Sequence, residues 1–164
     1  MSKSFIRLLG AAMKRVAPAL LVSLGLLVAS PLAQASDASL KSALKRYEAR
    51  LTTDIGYLSS FSTPSRSTAP AALSRLSKIR SDLTGAARAA TGEQASTSSG
   101  RKGRTLVLSG LHDATVAADD ARACATAARS GNRSTARGDA KAEQSEINKA
   151  IGLFESGGKL LHLF

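Results

Sequence analysis

Apolar residues recur along this chain at spacings of three and four, in four separate runs. The first run is Leu40, Leu44, Tyr47, Leu51, Ile55, Leu58 and Phe61, which predicts one helical stripe over about 38–61. The second is Leu73, Leu76, Ile79, Leu83, Ala86 and Ala90, predicting a helix over about 70–90. The third, Val107, Leu111, Ala114, Ala118, Ala121, Ala125 and Ala128, is a seam of mostly small residues over about 105–130. The fourth, Ala136, Ala140, Ile147, Ile151 and Phe154, marks a helix over about 134–155.

The breaks between these runs have their own chemistry. Ser, Thr and Pro64 interrupt the chain between Ser59 and Thr68, and Pro70 suits the first turn of the second helix. The polar stretch Thr91 to Arg104, with Gly100 and Gly103 near its end, reads as a loop. Gly131 or Asn132 can take the left-handed conformation that ends a helix. Gly157-Gly158 is expected to loosen the chain before a tail from Lys159 to Phe164, which is read as extending the fourth helix and packing on the bundle end, the alternative being an exposed apolar peptide that a partner captures. Four helices with short or moderate connections predict an all-α fold, an antiparallel four-helix bundle running up-down-up-down. The expected organisation is a single bundle domain over residues 36–164.

What precedes the first stripe has a different pattern. Lys3, Arg7, Lys14 and Arg15 precede an apolar core from about Ala19 to Ala29, then Pro31 and a small-x-small site at Ala33-Gln34-Ala35. These are the three parts of a secretory signal peptide, which predicts residues 1–35 as signal and cleavage after Ala35. The competing reading is an uncleaved membrane anchor. Pro18, Ser23, Gly25, Ser30 and Pro31 make the apolar stretch marginal as a span. No Cys follows the apolar core, and no Arg-Arg pair precedes it, which argues against lipid attachment and a twin-arginine route. The expected location is therefore periplasm, cell envelope or extracellular space.

Charge narrows the partners. The chain has 23 Lys and Arg against 12 Asp and Glu, net +11. Four of the cations and none of the acids lie in the signal, leaving 19 against 12, about +7. Such a balance favours anionic partners, an envelope polymer, a membrane surface or nucleic acid, without selecting among them. The candidate contacts are Arg101, Lys102 and Arg104 before the third helix, and Arg75, Lys78 and Arg80 on the second, with Arg66 just ahead of it. No docking motif or interleaved aromatics point to specific nucleic acid.

Specific chemistry finds little footing. His112, Asp113, Asp119, Asp120, Cys124 and His162 are metal-ligand types, but their spacing gives no convergent set, so no metal is expected. In length and helix layout the chain resembles cytochrome b562, whose family ligates haem through a Met in the first helix and a His in the last. Here both Met1 and Met13 fall in the signal, so the resemblance stops at architecture and no cofactor is expected. Ser109, His112 and Asp113 lie in one helical run, which scatters them around the axis and prevents a relay. No nucleophile elbow or phosphate loop occurs. Cys124, in an Ala-rich run, reads as a buried apolar residue in preference to an intermolecular disulfide.

The composition also resembles that of small Ala/Arg-rich exported helical proteins of bacteria. The expected role is a non-enzymatic one, surface contact with anionic envelope material or with a protein partner. The alternative is a small-molecule or cofactor-binding bundle with its site between helices, near Tyr47, Tyr57 and Phe154.

Overall fold

The computed structural model describes residues 31–163. The charged and apolar parts of the expected signal lie outside the described residues, as does Phe164. The described chain is all-helical, with α1 (Pro31–Ser59), α2 (Ala69–Gly92), α3 (Ser98–Ser130) and α4 (Arg133–Leu160), and no strand. The helices pack as a bundle. None of them is long and apolar enough to cross a membrane.

Consecutive helices run antiparallel, as their cross-links show. Between α1 and α2, Asp54 meets Arg75, and further along Arg50 meets Asp82. Between α2 and α3, Arg80 meets Asp119 while Arg104 reaches back to Ala90. Between α3 and α4, Gly103 lies by Leu161 and Gly110 by Phe154. The predicted stripes face inward. All seven residues of the α3 seam are buried, and Leu76, Ile79, Leu83, Ala86 and Ala90 of α2 are fully buried. On α1 only Leu40, Leu44 and Leu58 of the stripe are buried. Tyr47, Leu51 and Ile55 are half-covered. Burial of a Leu or Ile side chain contributes about 1.5–3 kcal/mol, so the large residues of α1 and α2 carry much of the apolar stabilisation.

Three boundaries differ from expectation. Helix α1 begins at Pro31, so the bond between Ala35 and Ser36 lies in helical backbone. Helix α3 begins at Ser98, not near Thr105. Thr97 caps it by accepting a hydrogen bond from the Gly100 N–H at 2.8 Å, so most of the expected loop is helix. Helix α4 runs past 155 through Gly157-Gly158 to Leu160 without loosening at the glycines, both of which are buried, so the start of the tail extends the helix and Leu161 packs into the core. The Gly-rich turns are not loose: a methyl group at Gly103 would stand 2.7 Å from Leu161 Cγ. The missing side chains are what let α3 and α4 approach closely. Gly131 does take the left-handed conformation (φ 84°), with its own and the following N–H bonded to Ala128 and Ala127.

Asp37 fixes the start of α1 to the start of α3. Its carboxylate accepts hydrogen bonds from the Ser96 N–H at 3.0 Å and from the Thr97 hydroxyl. Nearby, the Ser39 hydroxyl donates to Glu93 at 2.6 Å.

Candidate functional site

The α1–α2 connection and the α3–α4 turn sit at the same end of the bundle. Phe61 packs against the buried cluster of Cys124, Ala127, Ala128 and Ala136, and Thr63 lies beside Cys124. Pro64 keeps the connection out of helical conformation. Ser65 and Thr68 then bond each other, Ser65 N–H donating to Thr68 Oγ1 at 3.0 Å. The connection is thereby held open, and a cleft of about 450 Å³ forms over it. Tyr57, Phe61, Pro64 and Arg75 are among the residues that line it. The Tyr57 and Phe61 rings are 6.1 Å apart and tilted by 54°.

Arg75 is held from two sides in this cleft. Its Nη2 donates to Asp54 Oδ1 at 3.1 Å, and its Cζ lies 5.7 Å from the Tyr57 ring centroid. Such a cation–π contact adds about 0.5–1 kcal/mol at a partly exposed site. Asp54 is 2% exposed and its Oδ2 has no hydrogen-bond partner. Burial, then repulsion from Asp82, pushes its carboxyl above the ordinary range, against the pull of Arg75 and Lys78.

A second group of acids lies between α3 and α4. Glu143 is 1% exposed, and neither carboxyl oxygen has a hydrogen-bond partner. Burial first, and Asp120 second, push it up to about 8. Asp120 is itself raised, by burial and then by Asp139, Glu146 and Asp119. Cys124 is buried, and its thiol is raised chiefly by that burial. Its Sγ lies 3.8 Å from Thr63 Oγ1. Among the described residues no group of three or more His, Cys, Asp or Glu is arranged to hold a metal ion. His112 and His162 are both exposed.

Six of the basic residues singled out from the sequence fall into two groups. Arg101, Lys102 and Arg104 lie in the first turns of α3, while Arg75, Lys78 and Arg80 lie in the first half of α2. Arg104 bonds the last carbonyls of α2, Ala90 O at 2.9 Å and Thr91 O at 2.8 Å. At 1.5 Å per residue, these carbonyls lie roughly 15–24 Å along the axis from Arg80 and Arg75. Several of the six are engaged within the fold: Arg80 binds Asp119 at 2.8 Å, and Arg101 donates to the Ser96 carbonyl. Lys78 and Lys102 are exposed.

Another set of cations was, apart from Arg66, not singled out. Arg66, Arg129, Arg133, Arg137 and Lys141 are all exposed, and none of them has an ion pair among the described residues. They lie on the α1–α2 connection, at the end of α3 and along the first two turns of α4, and so crowd the end that holds the cleft. The signal was present in the sequence as the i, i+4, i+8 spacing of Arg133, Arg137 and Lys141, which puts them along one side of a helix.

The three aromatics expected to share a site do not meet. Tyr47 packs on Gly85 and Phe154 on Gly110, and Tyr57 alone of the three lines the cleft. No family model matches this chain, and neither a curated protein nor a solved structure matches it.

Proposed function

We propose that this protein is exported and acts without catalysis, by surface contact with anionic envelope material. The export part rests on the basic, apolar and small-x-small succession of residues 1–35, with cleavage after Ala35. The contact part rests on one observation. Arg66, Arg129, Arg133, Arg137 and Lys141 are exposed and free of ion pairs at one end of the bundle. Unpaired cations gathered on one surface attract an anionic polymer or bilayer over a Debye length, about 8–10 Å at physiological salt.

The test is co-sedimentation of the purified protein with vesicles containing phosphatidylglycerol, at about 50 mM and about 500 mM salt. Binding at low salt that falls at high salt is expected. Changing Arg129, Arg133 and Arg137 together to Ser should abolish most of it, whereas changing Arg101 and Lys102 to Ser should not. Equal loss from the two variants, or binding indifferent to salt, rejects the assignment to this end.

A further inference from the structure

We propose that the cleft between Tyr57, Phe61 and Arg75 is a binding site for a small aromatic carboxylate. This site does not depend on the envelope reading, since a small acid and an extended anionic surface are recognised by different groups.

Size, walls and charge decide the ligand class together. The cleft is broad and open to solvent, and its volume of about 450 Å³ far exceeds a single water's share of liquid volume, about 30 Å³. Tyr57, Phe61 and Pro64 offer apolar walls, and the two tilted rings make a corner into which a flat ring fits edge-to-face. No carboxylate lines the cleft. Asp54 lies buried behind Arg75, and the cations nearby are Arg75 itself, Lys78 on the next turn of α2 and Arg66 on the connection. The local charge therefore rejects cations and accepts a monoanion.

Arg75 supplies the orientation. One of its N–H groups is spent on Asp54, and no other hydrogen bond from its guanidinium is made among the described residues. With one edge tied to Asp54 and its face on Tyr57, the planar fork has little rotamer freedom left to lose on binding. The side chain remains 35% exposed, at the wall of the cleft. A guanidinium held in this way meets a planar carboxylate through paired hydrogen bonds, which a lysine ammonium cannot reproduce.

The experiment is a titration of the purified protein with 1-naphthoate, followed by backbone and arginine side-chain NMR. Neutral 1-naphthalenemethanol and inorganic phosphate serve as the two partial ligands. Saturable shifts at Tyr57, Phe61 and Arg75 are expected with naphthoate, at least about tenfold weaker binding with the alcohol, and none with phosphate at the same concentration. Arg75→Lys keeps a charge beside Asp54 and should still lose about tenfold in affinity. Phe61→Leu should weaken naphthoate and alcohol alike. Shifts centred on Arg129, Arg133 and Arg137, an equal response to the alcohol, or undiminished binding by R75K would overturn the proposal. Each of these outcomes is separable from the vesicle experiment, where the Arg129, Arg133 and Arg137 substitutions leave the cleft intact.

Discussion

Gly157 of α4 lies so close to Gly103 of α3 that a methyl group on Gly157 would stand 3.0 Å from the Gly103 carbonyl oxygen, and 2.9 Å from Val107 Cγ2. Two backbones in contact cannot yield as a flexible side chain does. Gly157→Ala should therefore destabilise the bundle by about 1–3 kcal/mol through overpacking, although alanine is the better helix former by about 1 kcal/mol. Gly152 lies on the same helix with nothing within 4 Å of an added Cβ. There the same change should stabilise by up to about 1 kcal/mol. Urea unfolding followed by circular dichroism measures both. Like-signed effects would contradict the close approach of α3 and α4.

Glu143 makes stability depend on pH in an unusual direction. Its carboxyl is raised from an ordinary 4.5 to about 8 in the fold, so between those values the folded chain holds the proton more tightly than the unfolded chain. Its penalty is absent below the lower value, grows as pH rises through the window, and is complete above the upper one. Glu143→Gln removes the ionisable group while keeping its shape. The variant should match the parent near pH 4 and exceed it by roughly 2–4 kcal/mol near pH 9. Unfolding midpoints across that range read the difference, and parallel curves for the two proteins would refute it.

Arg104 should behave as a structural residue. It satisfies two carbonyls that the end of α2 otherwise leaves open, Ala90 O and Thr91 O. Arg104→Gln should cost about 1 kcal/mol of stability. Vesicle binding at fixed salt should stay unchanged, and a drop in binding without a loss of stability would put Arg104 back among the surface contacts.

Cys124 should react slowly while the bundle is folded. It is buried, and burial holds its thiol protonated above the ordinary range. Thiol labelling at pH 8 should proceed only as fast as the fold opens, and should become immediate in denaturant. Native labelling at the denatured rate, or a dimer lost on reduction, would show an exposed thiol.

How far the sequence revealed this molecule depended on the kind of signal. Periodicity made the helices visible, because Leu76, Ile79 and Leu83, or Val107 and Leu111, must share a face to be covered. The same reasoning failed at Gly100, Gly103, Gly157 and Gly158, where propensity alone suggests a break. At Gly100, Gly103 and Gly157 a neighbouring helix occupies the space of the absent side chain, and a contact between distant segments leaves no periodicity to read. The cleft was invisible for the same reason. Tyr57 and Arg75 are separated by a turn whose geometry only the packing of Phe61 on α3 and α4 determines. Nothing in the apolar periodicity of α4 marks Glu143, and only the position of α3 shows it to be buried. The cations of α4 were legible by spacing, but that none of them forms an ion pair was not.

The start of α1 also bears on when the proposed cleavage would have to happen. The Ala35–Ser36 bond lies in helical backbone, just ahead of Asp37 and its bonds to Ser96 and Thr97. Proteases cut chain that is locally open, not the backbone of a formed helix. A peptidase cutting after Ala35, as proposed, would have to reach the chain before α1 winds back to Pro31. On that proposal, processing and folding would compete for the same few residues.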